Sequence, residues 1–212
     1  RALFGKTSNT GDSDGELVEG KQPGATDLDK IRSSLEEIAS RKEQIPPKYS
    51  AKKINGVKAY DLARQGIEFT LKPNKIEIYS LDISDMSVCE EGVTVDFTVH
   101  CSKGTYIRTI CTDAGELSGF GAYAMELRRT QCGPFEVKKA FTPEMFEREM
   151  KNGGDVYIDP EITLARMPVV RLSDRRADDI RNGRKIPAKI LEGFDYADGV
   201  LCKAVSSSGM RE

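Results

Sequence analysis

Within six residues, Lys103-Gly104-Thr105-Tyr106-Ile107-Arg108, the chain places two cations, a glycine, a hydroxyl and an aromatic ring. The alternation Val93, Val95, Phe97, Val99, Cys101 before them reads as a strand. Ile107, Ile110, Cys111, Ala114 and Leu117 after them have helical spacing, closed by Gly119. A helix start behind a glycine presents free N–H groups and a partial positive charge. Lys103 and Arg108 add full charges, so an anionic group is expected there. The segment is not a P-loop, because G-x-x-x-x-G-K-[ST] is absent. By residue type alone, a phosphate or carboxylate site and an ordinary exposed strand–helix turn fit equally. Tyr106 beside Arg108 is the pairing on which splayed RNA bases stack and bond, although a tyrosine there also suits a half-buried packing role.

Other chemistries are disfavoured. His100 is the only histidine and falls on a strand, so a Ser-His-Asp or Cys-His arrangement is not expected. The five cysteines, Cys89, Cys101, Cys111, Cys132 and Cys202, are odd in number and contain no C-x-x-C. Neither a disulfide framework nor a zinc site is indicated, and buried thiols in a reducing cytosol are expected. No metal is called for.

The elements that must position the basic segment come next. With 212 residues, 38% hydrophobic and 31% charged, the chain is long enough for one core plus a small appended module. No apolar run reaches membrane-helix length and no signal peptide opens the chain. Net charge is only -2, but residues 42–75 hold eight Lys/Arg against three Asp/Glu, and residues 76–100 hold none against six. That asymmetry suggests one anion-facing surface, or simply a solvated charged face.

Residues 5–24 read as an exposed loop. Thr26 looks like an N-cap for an amphipathic helix over 27–40, on Leu28, Ile31, Leu35 and Ile38. Ile45-Pro46-Pro47 forces an extended segment, Asn55-Gly56 signals a turn, and Tyr60 to Gly66 suits a short helix. Strands are expected at Ile67–Leu71, in interrupted form over Ile76, Ile78, Leu81 and Ile83, and at Tyr123, Met125 and Leu127. Thr142-Pro143 starts a helix that Gly153-Gly154 ends. From about residue 164 the character changes. A short strand at Val169-Val170, a helix capped by Ser173 and stopping at Gly183, and a last strand over Val200–Val205 are expected.

C-S-K-G-T-Y-I-R-T (101–109), G-x-G-A (119–122), L-R-R-T (127–130) and G-P-F (133–135) closely resemble bacterial tRNA pseudouridine(55) synthases of the TruB family. P-P-K-Y-S-A-K-K (46–53), Asn55-Gly56, A-R-Q-G-I (63–67) and the loop Gly5 to Gly15 follow the family in the same order. The likeness covers residues 1 to about 165. The remainder resembles only weakly the small RNA-binding PUA-like module that ends these enzymes. The resemblance implies an α+β class: a mixed, mainly antiparallel sheet flanked by helices, the pseudouridine synthase fold, with a small β-rich C-terminal module. Residues 1–163 would form a partial catalytic domain and 164–212 the module.

The activity implied is isomerisation of a flipped-out uridine in the tRNA T-loop, uridine 55, to pseudouridine, without cofactor or metal. The alternative is a non-catalytic tRNA-binding or RNA-folding module that keeps the T-loop surface. The partner implied is tRNA through its T-stem-loop, with no membrane, a monomeric state and a cytoplasmic location. The family's catalytic aspartate lies in a G-x-L-D-P-x-A-x-G motif that is not found in this sequence. Asp27 and Asp29 resemble it only superficially, and Arg1 is not an initiator methionine, so that aspartate and a stacking tyrosine are expected upstream. Carried over residue by residue, Arg108 would pair with the aspartate, which favours and orients the carboxylate. Without a partner, Arg108 would be a lone half-buried charge. Tyr106 would contact the uracil and Leu127 would form an apolar wall. Lys53, Arg64, Lys103, Arg128 and Arg129 would contact RNA, and Tyr49 and Ser50 would support the pocket. Lys52 stands where the family usually carries an apolar residue.

Overall fold

Residues 1–187 and 199–206 are described by a computed structural model, and the chain divides into two compact units, Arg1–Arg128 and Arg129–Glu212. The architecture is mixed α+β. In the first unit β1 (Ala2–Phe4) is followed by a hairpin of β2 (Lys6–Ser8) and β3 (Leu17–Glu19). Helix α1 (Leu28–Ser40) leads to β4 (Glu43–Gln44), to the small hairpin β5 (Lys53–Ile54) and β6 (Val57–Lys58), and to α2 (Ala59–Arg64). Then come β7 (Asn74–Lys75), β8 (Ile78–Cys89), β9 (Gly92–Cys101), α3 (Ile107–Ser118) and β10 (Ala122–Ala124). The main sheet runs β10-β1-β9-β8, antiparallel throughout.

Alternation puts Ala2, Phe4, Val93, Val95, Ala122 and Ala124 into the core, in matched register across three strands. Ile31, Leu35 and Ile38 of α1 and Ile110, Cys111 and Ala114 of α3 close over them. Each fully buried aliphatic side chain there contributes about 1.5–3 kcal/mol. Gly115 has a packing role: a Cβ on it would collide with the backbone N of Ala122, so only glycine lets α3 lie this close to β10. Of the interrupted pattern over Ile76 to Ile83, Ile78, Leu81 and Ile83 belong to β8, whose register shifts at Ile78/Ser80 and Ile83/Asp85, while Ile76 precedes it. Asn55 (φ 50°) and Gly56 (φ 87°) both take positive φ, as a two-residue hairpin turn between β5 and β6 requires.

Several expectations are corrected. Residues 5–24 are not one loop: their ends pair as β2 and β3, with the Lys6 ammonium between Glu19 and Glu91 at 3.1 and 3.0 Å. Thr26 is not the N-cap. It lies inside a 3-10 turn, Ala25–Asp27, whose entry is closed by the Gly24 N–H donating to Asp27 Oδ2. Ile67–Leu71 forms no strand. The Ile67 N–H is spent on the Leu62 carbonyl in closing α2, and no strand partner is present among the described residues. The strand expected through Leu127 stops at Ala124. The Met125 and Glu126 N–H groups both donate to the Arg1 carbonyl instead of continuing a ladder.

The second unit carries a hairpin of β11 (Gln131–Cys132) and β12 (Phe135–Glu136), then α4 (Pro143–Lys151). Thr142 Oγ1 caps α4 by accepting from the Met145 N–H at 3.2 Å. Strand β13 (Val169–Leu172), helix α5 (Asp174–Arg181) and β14 (Lys203–Ser206) complete it, with β13 and β14 parallel and Val170 and Leu172 buried. Ser173 holds the N-cap position of α5 without a side-chain capping bond. The last strand, expected over Val200–Val205, begins at Lys203, and residues 188–198 and 207–212 lie outside the described residues.

Candidate functional site

The turn after β9 reverses at Gly104 (φ 84°) and delivers Tyr106 as N-cap of α3. Arg108 sits in the first turn of that helix and is not a lone charge. Its Nη1 donates to the Thr10 carbonyl at 2.7 Å and to Asp12 Oδ2 at 2.9 Å. Its Nη2 donates to the Tyr49 carbonyl at 2.8 Å. The Arg108 and Asp12 side chains keep only 22% and 28% of their exposure, so the ion pair is partly withdrawn from water.

Asp12 is the residue that sequence reasoning missed. It lies at the tip of the β2–β3 hairpin, which is docked on the sheet edge by the Ala124 N–H donating to the Gly11 carbonyl at 3.0 Å. Asp12 Oδ1 accepts from the Thr10 hydroxyl and the Asp14 N–H, while Ser8 Oγ donates to the Asp12 carbonyl. The carboxylate is therefore held on both oxygens, one by its own turn and one by Arg108. A signal for it existed: an arginine that needs an acid, and a G-D-S-D-G turn with two acids on offer.

Arg108, Asp12, Ser13, Asp14, Ala124, Met125 and Leu127 line one cleft of about 420 Å³. Leu127 lines the cleft together with Arg108, is 62% exposed and lies beyond the end of β10. Tyr106 does not line that cleft. Its backbone is held by Gln44, whose Nε2 donates to the Tyr106 carbonyl at 3.0 Å and whose Oε1 accepts the Tyr106 N–H at 2.8 Å. Ser50, beside Tyr49, is buried.

The remaining cations are dispersed. Lys53 is exposed on β5, and Lys103 is exposed in the turn before α3. Arg64 ends α2 with its guanidinium 5.5 Å from the Tyr60 ring, which the Lys58 ammonium also approaches at 5.4 Å. Lys52 is exposed and donates to Asn74 Oδ1 at 2.7 Å, which explains how a cation replaces an apolar residue there. Arg128 is exposed, and none of these lines the cleft. Arg129 belongs to the second unit, where it approaches Cys132 Sγ. His100 is elsewhere, against Tyr79 with ring centroids 4.8 Å apart. Among the described residues no cluster of His, Cys, Asp and Glu could hold a metal ion, and no helix is long and apolar enough to cross a membrane.

Residues 1–107 match the model of the TruB family pseudouridylate synthase N-terminal domain, and residues 108–162 match that of the tRNA pseudouridylate synthase B C-terminal domain. A tRNA pseudouridine synthase B from Syntrophotalea carbinolica is 43% identical over 145 residues, 68% of this chain and 46% of that one. One from Pseudomonas fluorescens is 37% identical over 192 residues (88% and 61%), and one from Vibrio parahaemolyticus 34% over 201 (90% and 62%). The chain spans about half to three-fifths of the length of these relatives. A chain in the crystal structure of a Cbf5-Nop10-Gar1 complex superposes with a TM-score of 0.61 at 21% identity, covering 97% of this chain and 55% of that chain. That likeness concerns the fold.

Proposed function

We propose that this chain, which belongs to the TruB family of pseudouridylate synthases, works as a tRNA pseudouridine synthase on uridine 55 of the T-loop. The observation that carries the reading is the arrest of Arg108 in the lining of the cleft. Arginine has five N–H donors, and three are used among the described residues, on Thr10, Asp12 and Tyr49. The Nε–H and one N–H on Nη2 remain for a second carboxylate, which the guanidinium would hold ionised and oriented. Asp12 in this reading steadies the arginine, and the aspartate expected upstream does the chemistry.

The target uridine flips out of its stack to lie between the cleft and Tyr106, which stands two residues before Arg108 and outside the cleft's lining. Tyr106 contacts the uracil, and Leu127 supplies an apolar wall. The bond between N1 and the sugar breaks, the base rotates, and C5 bonds to the sugar in its place. The hydrogen on C5 leaves to solvent as a proton, and N1 gains one. Lys53, Arg64, Lys103, Arg128 and Arg129 contact tRNA phosphates, which makes affinity fall with salt. The segment from residue 164 serves as the RNA-binding module. The enzyme needs no cofactor and acts as a cytoplasmic monomer.

Tritium release from C5-labelled uridine in a T-stem-loop RNA tests this with the full-length protein, because forming the new bond expels that hydrogen. Release supports the synthase reading. Binding without release overturns it in favour of a tRNA-binding or RNA-folding module.

A further inference from the structure

Gln44 lies on a two-residue strand, is 5% exposed, and spends its side-chain amide on the backbone of a residue 62 positions away. A buried glutamine must place its amide on partners. This one reproduces what a neighbouring strand would offer: its C=O takes the Tyr106 N–H and its N–H serves the Tyr106 C=O. Tyr106 is thereby kept extended (φ -98°, ψ 111°) at the point where the chain enters α3. The same Tyr106 carbonyl also accepts from the Ile110 N–H at 3.2 Å, so the clamp is continuous with the first turn of the helix.

The strand carrying Gln44 is itself anchored. It pairs with β7, Gln44 opposite Asn74, and the Ile76 N–H donates to the Lys42 carbonyl at 2.9 Å. Five residues on, past Pro46 and Pro47, the same segment supplies the Tyr49 carbonyl that holds Arg108. One strap, residues 43–49, therefore grips both Tyr106 and Arg108.

We propose that Gln44 is a positioning residue for the reaction: its amide fixes the direction in which the Tyr106 side chain leaves the backbone, and so where the ring meets the uracil. The inference rests on the synthase reading above. A side chain misdirected by about 1 Å costs rate far more than affinity, because substrate is still bound by its phosphates while the base is badly held.

The test compares the full-length parent with Gln44→Leu, which removes both bonds, and with Gln44→Glu, which keeps the shape but cannot donate when ionised. Tritium release from T-stem-loop RNA gives kcat and KM, and amide hydrogen exchange is followed at Tyr106 and at Ala114 in the body of α3. The expected result is a kcat lower by about 10- to 100-fold with KM unchanged, and faster exchange at Tyr106 while Ala114 stays protected. An unchanged kcat in a parent that releases tritium overturns the positioning role and leaves the synthase reading standing. A rise in KM alone, or lost protection at Ala114 in both variants, also overturns it, since Gln44 would then serve binding or stability only. No release from the parent removes the synthase reading and this role with it.

Discussion

In α3, Ile110, Cys111 and Ala114 are placed by burial, whereas Tyr106 and Arg108 at its start are placed by hydrogen bonds reaching across the chain. Ile110, Cys111 and Ala114 are buried in the core, and Gly115 presses against β10. Four residues earlier, Tyr106 is clamped by Gln44, and Arg108 by Thr10, Asp12 and Tyr49. Apolar contacts are non-directional and tolerate small shifts. Hydrogen bonds fix direction, which a reacting group needs. A helix rooted at one end in a core can thus carry polar groups at the other without their having to stabilise the fold alone.

The comparison is broken most severely at its polar end. Arg108→Ala in the full-length protein should abolish turnover, by about 10²- to 10³-fold or more, while T-stem-loop binding persists. Near-normal turnover would remove Arg108 from the chemistry. At the apolar end, Ile110→Ala should cost about 2–5 kcal/mol in denaturant unfolding, with turnover per folded molecule unchanged. Loss of specific activity there would show that the two ends are not separable. Asp12→Asn sits between them. It keeps a hydrogen-bond acceptor but loses the charge, so unfolding should show a loss of about 1.5–3 kcal/mol at most, and turnover should drop less than in Arg108→Ala. Equal losses in the two variants would instead make Asp12 as direct a participant as the arginine.

Two smaller effects sharpen the contrast. Burial pushes the Cys111 thiol up to about 12. In native protein at pH 8 an alkylating reagent should therefore modify the exposed Cys89, Cys132 and Cys202 and spare Cys111, as peptide mass mapping would show. Labelling at Cys111 would mean the body of α3 opens readily. On the flank of the helix, burial raises the Asp113 carboxyl above its ordinary range, and Arg41 at 3.6 Å opposes this only in part. A carboxyl raised in the fold costs stability above its folded value and recovers it as pH falls through that value. Asp113→Asn should give a slightly higher Tm at pH 7, with the gain fading on acidification. A lower Tm at pH 7 would show that the Arg41 pair outweighs burial.

Much of this was legible without coordinates. The 3.6-residue spacing of Ile31, Leu35 and Ile38, the alternation from Val93 to Cys101, the Asn55-Gly56 turn and the Gly119 stop are local patterns, and each became the element it signalled. Arg108 was likewise conspicuous by type and place. The strand expected at Ile67–Leu71 failed because apolar alternation says that a segment can pair, not that a neighbour is there to pair with. Hairpin β2–β3 was hidden by its polar composition, which describes its turn better than its ends.

The amino-acid order by itself thus determined the helices, the long central strands, the mixed α+β class and the identity of the arginine, because periodicity and turn chemistry act over a few residues. Only the tertiary structure decided what surrounds that arginine. Asp12 is 96 residues away, Gln44 is 62 residues from Tyr106, and two of the three acceptors around Arg108 are backbone carbonyls. Every residue carries a carbonyl, so no residue type announces one. It becomes a partner only when packing of the sheet and helices carries it to within 3 Å.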